Sequence, residues 1–181
     1  IVIGGIAGAT PPLIGWAVAA SDTGALDGLN PLALGSPVPW MLFMLIFLWT
    51  PPHFWALALY RSGEYAKAKV PMMNEVRGAK STLNQSKVYC GLLLLLGSVP
   101  CFWPASGFPL LWAFASGGLT VWYAKSVWDI DPEEPFDENG RMPKAAKSFF
   151  RSLFYLGWMF LALVAISAVP PDVLGPFGPL N

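Results

Sequence analysis

Hydrophobic and polar positions are sorted into long blocks along this chain rather than interleaved. Four tracts contain no Asp, Glu, Lys or Arg: Ile1 to Ser21, Gly28 to Tyr60, Val88 to Ala124 and Ser152 to Pro171. A helix crosses the hydrocarbon core of a bilayer with about 20 apolar residues. Each tract can therefore supply one crossing, and the third is long enough for two, with Pro100, Pro104, Gly107 and Pro109 interrupting it near its middle. The pattern predicts five spans over Ile1–Ala20, Trp40–Tyr60, Val88–Trp103, Leu110–Val127 and Phe149–Val169. The expected fold class is an all-α membrane protein, a bundle of about five transmembrane helices forming one domain over 1–181.

Charge sharpens that picture. Only 12% of residues are charged, about half the usual share in soluble domains. The formal net charge is zero, so no global field favours nucleic acid and no such partner is expected. All eleven Lys and Arg residues fall in two windows, six from Arg61 to Lys87 and five from Lys125 to Arg151. Threading the five spans puts both windows on one side. The 21–39 loop, the 104–109 loop and the C-terminus, with no Lys or Arg, fall on the other. This is the positive-inside pattern. It predicts a multi-pass integral membrane protein with its basic loops on the cytoplasmic or matrix side of a bacterial or mitochondrial inner membrane.

Ile1 begins inside an apolar tract, with no initiating Met and no basic segment of the kind that opens a signal peptide. The chain is expected to be part of something longer. Gly4 and Gly8 form a small-xxx-small pattern suited to close helix approach, and Pro11 and Pro12 must kink the first span. Pro51 and Pro52 repeat the device in the second. Cys90 and Cys101 lie on one predicted helix about 16 Å apart, too far to pair, and read as small core residues. The six carboxylates from Asp129 to Glu138 read as a solvated acidic connector, because Pro132 and Pro135 break any regular ligand spacing.

The segment from Trp49 to Met73 carries the chemistry. A plain membrane exit would show a basic flank, whereas this one mixes His53, Tyr60, Arg61, Glu64, Tyr65 and Lys67. If the helix continues past its prolines, His53, Tyr60 and Glu64 share one face over about 16 Å. Ionisable groups beside a span tend to face a bundle interior or a wet cavity. Arg61, Lys67, Lys69, Arg77 and Lys80 can neutralise phosphate oxygens. Glu64 would repel a bare anion, and a bridging Mg²⁺ resolves the conflict, since Mg²⁺ is held by one or two carboxylates plus substrate phosphates. Charge alone is equally compatible with basic residues that merely mark the inner side, with Glu64 pairing along the helix with Arg61 and Lys67.

The strings IVIGGIAGATPPLIGW, FLWTPPHFWALALYRSGEYAKAKVPMM and EVRGAKST resemble, in order and spacing, the protohaem IX farnesyltransferases (haem O synthases), a branch of the intramembrane aromatic prenyltransferases. The resemblance covers essentially the whole chain but only about the second half of a nine-helix family fold. It implies transfer of a farnesyl group from farnesyl diphosphate to a vinyl group of haem B, with water adding to give haem O. It also implies a bundle around a lipid-accessible cavity in which two acidic motifs hold Mg²⁺ and diphosphate. Only the second motif has a place here, at RSGEY, where Glu64 stands at a position that is usually Asp. Ala68 replaces the further carboxylate of the wider superfamily, a departure shared by the haem branch.

The roles that follow from the resemblance are Glu64 as catalytic residue and Mg²⁺ ligand, with His53 and Tyr60 positioning haem or a proton. Arg61, Tyr65, Lys67, Arg77, Lys80 and Trp55 are assigned to substrate, with Trp49, Phe54 and Trp55 as an aromatic wall for the allylic cation. Expected partners are farnesyl diphosphate, haem B and the lipid bilayer, with haem A synthase or oxidase assembly factors downstream. Residues 1–181 alone are expected to be inactive, because the first acidic motif would precede Ile1. The competing readings are a prenyltransferase acting on an aromatic quinone precursor and a non-catalytic transporter or scaffold with Pro-broken helices.

Overall fold

The computed structural model describes residues 2–22, 34, 37–69, 71–99, 109–135, 137–138 and 141–167. Among these residues all regular structure is helical: α1 Val2–Ala9, α2 Pro11–Asp22, α3 Val38–Tyr60, α4 Ser62–Lys67, α5 Met73–Ser98, α6 Pro109–Trp128 and α7 Pro143–Ser167. The chain divides into two compact units, Ile1–Pro51 and Pro52–Asn181, with the division falling inside α3.

In the first unit, the apolar opening tract breaks at Thr10 into α1 and α2, as its prolines require. Pro11 disfavours helical backbone at the residue before it and occupies the first position of α2, where its missing N–H costs nothing. The Thr10 hydroxyl caps the break by donating to the Ala7 carbonyl at 2.8 Å. Gly5 sits close to α3, because a Cβ there would lie 3.4 Å from the Phe47 ring. Trp16 Nε1 donates to the Leu34 carbonyl at 2.9 Å. α3 runs unbroken through Pro51 and Pro52, which cannot donate to the carbonyls one turn earlier. Thr50 Oγ1 bonds back to the Ile46 carbonyl at 2.7 Å in that weakened turn.

In the second unit, α6 packs against both α5 and α7. The seam is made of small and hydroxyl-bearing residues, the usual means of close helix approach where lipid removes the hydrophobic drive. Ser116 Oγ lies 3.1 Å from the Gly97 carbonyl, and a Cβ on Gly97 would stand only 2.8 Å from that hydroxyl. The fully buried Tyr123 and Tyr155 rings stack at 5.2 Å, and Thr120 Oγ1 shares a hydrogen bond with the Tyr155 hydroxyl at 3.2 Å. Opposite this seam α7 exposes Phe150, Leu153, Phe154, Trp158, Leu161 and Val164. Lys87 lies over Trp128 and Arg151 over Trp122, at 5.6 and 5.2 Å, cation–aromatic pairs suited to a membrane interface.

The five predicted spans correspond to α1 with α2, α3, α5, α6 and α7. Among the described residues three stretches, Ile3–Ser21, Val38–Tyr60 and Pro143–Ala165, are long and apolar enough to cross a membrane by length and composition, and the chain is an all-α membrane protein. Two helix starts differ from expectation by more than two residues. α5 starts at Met73 rather than Val88, because residues 73–87 form a polar helix with its own internal break at Gly78. There φ is +79°, a value glycine adopts without a Cβ penalty. α7 starts at Pro143 rather than Phe149, again with proline at the first helical position. The predicted 104–109 loop up to Phe108, Cys101 and the 168–169 end of the fifth span lie outside the described residues.

Candidate functional site

α3 does not continue into the next segment. Arg61 adopts φ −107° and ψ 27°, so the chain turns between Tyr60 and Ser62 and the continuous His53–Tyr60–Glu64 face is interrupted. Glu64 instead sits in the first turn of the short α4, its N–H bonded to the Arg61 carbonyl at 3.0 Å. The segment leading into α7 returns to this corner. Met142 N donates to the Tyr60 carbonyl at 3.3 Å. Beneath the corner, Leu59, Leu83, Ile130, Met142 and Ala145 form a small buried core with Tyr60 and Ala79 packed on it. That core draws the ends of α3, α6 and α7 together with the first half of α5.

On this platform Glu64 is gripped from two sides. Arg61 Nη1 donates to Oε2 at 3.3 Å, and Arg141 Nε and Nη2 both donate to Oε1, at 3.3 and 3.1 Å. Both guanidiniums also lie against the Tyr60 ring, their central carbons 5.9 and 5.6 Å from its centroid. The hydrogen bond to Glu64, with Tyr60 adding to it, pushes the Arg141 pKa above its ordinary value and keeps the guanidinium charged. All three charged side chains remain open to solvent, with 46, 37 and 44% of the Arg61, Arg141 and Glu64 side chains exposed. Exposed pairs of this kind stabilise a fold by about 0–1 kcal/mol. The cluster is therefore a weak clasp.

The remaining predicted residues divide by location. His53 is 8% exposed and faces α7, its Nδ1 2.6 Å from Ser152 Oγ and its ring stacked on Phe149 at 4.8 Å. Ser152 Oγ donates to the Phe149 carbonyl at 2.6 Å. Trp55 is buried edge-on to Tyr89 at 5.5 Å. Its Nε1 has no acceptor among the described residues, a condition shared with Trp112 Nε1 and the Tyr123 hydroxyl. Tyr65 is half-buried, while Lys67 and Lys69 are exposed, Lys69 with a left-handed φ of 54° where α4 has ended. Arg77 and Lys80 line a separate open groove of about 500 Å³ on α5 with Ser81, Asn84, Gln85 and Val88.

The structure thus brings Tyr60, Arg61 and Glu64 together and adds Arg141, which the sequence reading did not single out. Its one signal was membership of the second basic window, which the helix count placed on the same side as Arg61. Among the described residues no group of three or more His, Cys, Asp or Glu could hold a metal ion. The donor set at the corner, one exposed carboxylate, fits an ion shared with a bound polyanion rather than a resident one. Carboxylates of the acidic connector serve the backbone: Asp137 Oδ1 accepts from Arg141 N at 2.8 Å, Glu134 Oε2 from Lys144 N at 3.2 Å and Asp131 Oδ1 from Glu133 N at 3.0 Å.

The profile of the UbiA prenyltransferase family matches residues 1–154. Among curated proteins, a protoheme IX farnesyltransferase of Bartonella bacilliformis is 43% identical over 163 residues, covering 88% of this chain and 46% of the relative. The protein of that name from Parvibaculum lavamentivorans is 42% identical over 166 residues, covering 91% and 46%. Its counterpart from Brucella ovis is 38% identical over 182 residues, covering 98% and 52%. The chain spans about half the length of the curated relatives it matches. No solved structure matches it.

Proposed function

The chain belongs to the UbiA prenyltransferase family, and on that premise we propose that it forms part of a membrane enzyme that transfers a farnesyl group from farnesyl diphosphate to a vinyl group of haem B, with diphosphate leaving and water adding its hydroxyl to give haem O. The names of the relatives support haem B over an aromatic quinone precursor as acceptor. The observation that carries the reading is the position of Glu64 between Arg61 and Arg141. A site made only for an anion has no use for a carboxylate, and one made for a resident cation has no use for two guanidiniums. An ion arriving with a diphosphate uses both.

Departure of diphosphate from an allylic carbon leaves positive charge on the prenyl chain and negative charge on the leaving group. Glu64 would ligate Mg²⁺ together with the diphosphate oxygens, and the ion would neutralise charge developing on the leaving group. Arg61 and Lys67, on the exposed side of the corner, supply fixed positive charge to the same oxygens. Tyr65 sits one residue from Glu64, half-buried and able to donate its hydroxyl. Arg77 and Lys80, on their own groove, offer a second cationic surface at the same membrane face. The buried indole N–H of Trp55 is a donor for which bound substrate would provide an acceptor. Tyr60 backs both guanidiniums of the corner, and His53 fixes α3 to α7 through Ser152, the support on which a haem- or proton-positioning role of the α3 end would depend. The two basic windows lie on the cytoplasmic side of a bacterial inner membrane in this reading, which the positive-inside pattern and the organisms of the relatives support.

The test is direct. The protein containing residues 1–181, brought to the length of its relatives, is reconstituted with farnesyl diphosphate, Mg²⁺ and either haem B or an aromatic acid. Haem O formed only with haem B, and lost on chelation or in Glu64→Ala, is the expected result. Prenylation of the aromatic acid instead would overturn the acceptor, and wild-type turnover in Glu64→Ala would overturn the site.

A further inference from the structure

Arg141 reaches Glu64 across 77 residues of sequence and commits two donors, Nε and Nη2, to a single carboxylate oxygen. Arg61 occupies the other oxygen. A cation arriving at Glu64 therefore competes with both guanidiniums, for the carboxylate's lone pairs and through like-charge repulsion. The backbone around Arg141 is held independently of its side chain. Met142 N is bonded to the Tyr60 carbonyl, and Asp137 N and Arg141 O pair at 2.8 Å, with Asp137 Oδ1 accepting from Arg141 N. A guanidinium displaced from Glu64 thus stays within a side chain's reach of the corner. Its planar fork suits phosphate oxygens as well as it suits a carboxylate. The clasp it leaves is solvent-exposed and worth little, so exchange costs little.

We propose that Arg141 is a diphosphate-positioning residue that is stored on Glu64 until the metal–diphosphate arrives and then transfers to the diphosphate. The proposal rests on the reading of Glu64 as a ligand to a substrate-borne Mg²⁺. Arg141 acts twice in this exchange. Before binding it competes with the cation for the carboxylate, which discourages metal loading without substrate. After binding it holds the diphosphate from the α7 side while Arg61 holds it from the α4 side, and Tyr60 remains the shared surface behind both.

These two roles have opposite signs, which a purely structural tether would not produce. Mn²⁺ as a spectroscopic stand-in for Mg²⁺ and inorganic diphosphate are titrated, separately and together, into the reconstituted protein and its Arg141→Gln, Arg141→Lys and Glu64→Gln variants. Arg141→Gln should bind Mn²⁺ alone about threefold to tenfold more tightly and bind diphosphate with Mn²⁺ about tenfold more weakly. Arg141→Lys, which keeps the charge and disturbs the fold least, should retain part of the competition but lose most of the bidentate gain. The KM for farnesyl diphosphate should rise in both variants with little change in kcat. Unchanged Mn²⁺ and diphosphate affinities in both Arg141 variants, with binding lost in Glu64→Gln, would overturn the exchange and leave the Glu64 reading standing. Metal-dependent diphosphate binding that survives Glu64→Gln would overturn both.

Discussion

Between α5, α6 and α7 the polar groups are shut in: Ser116 against the Gly97 carbonyl, Thr120 with Tyr155, Ser126 with Ser148, and His53 with Ser152 from α3. At the outer corner the polar groups are charged and open, with Glu64 shared by Arg61 and Arg141. Both regions are networks of hydrogen bonds, yet they differ in what breaking them costs. A buried donor or acceptor that loses its partner costs about 1–3 kcal/mol, since water cannot replace the partner. An exposed ion pair that opens is at once rehydrated. The seam can therefore hold helices in register, and the corner can exchange one ligand for another. Stability should reside in the first and turnover in the second.

The largest expected effect tests the seam. Tyr155→Ala removes a fully buried ring and its stack on Tyr123, and should destabilise the protein by about 3–5 kcal/mol, read as a lower thermal midpoint in detergent. An unmoved midpoint would deny the seam its structural role. Next, in the protein brought to the length of its relatives and on the proposed reaction, Glu64→Gln should lower haem O formation by about 100-fold, equivalent to about 2.7 kcal/mol of transition-state stabilisation, with the thermal midpoint nearly unchanged. A large fall in midpoint would move Glu64 into the structural class. His53→Leu then decides to which region His53 belongs. Loss of its contact with Ser152 should destabilise by about 2 kcal/mol while turnover per folded molecule stays within about threefold. A collapse of turnover without destabilisation would place His53 with the corner. The smallest effect is at Gly97→Ala, where the added methyl crowds Ser116 and should cost about 1 kcal/mol by forcing α5 and α6 apart. No cost there would mean that the Ser116 hydroxyl simply rotates away.

The two regions were unequally readable in the sequence. The break at Thr10 followed from Pro11 and Pro12, and the end of α3 at Tyr60 followed from where charge resumes. The corner was half visible: Arg61 and Glu64 are neighbours along the chain and stand out where an apolar tract stops. The buried seam was invisible, because Ser116, Thr120, Ser126, Ser148 and Ser152 look like any small residues in a membrane helix until a partner helix faces them. Extending the His53–Tyr60–Glu64 face past Tyr60 failed because periodicity assumes a continuous helix, and Arg61 leaves helical geometry. Grouping Arg77 and Lys80 with Glu64 rested on shared charge, whereas the structure places them on a separate groove along α5.

Read alone, the residues determined where helices run through apolar tracts and where along the chain the positive charge collects. Those outcomes depend on hydrocarbon thickness and on the cost of desolvating charge, which act on each segment separately. The tertiary structure alone decided that Arg141 meets Glu64 and that His53 turns towards α7. A guanidinium on a polar connector carries no periodic signature, and its partner is chosen by how the buried residues around Leu59 and Met142 bring the helix ends together.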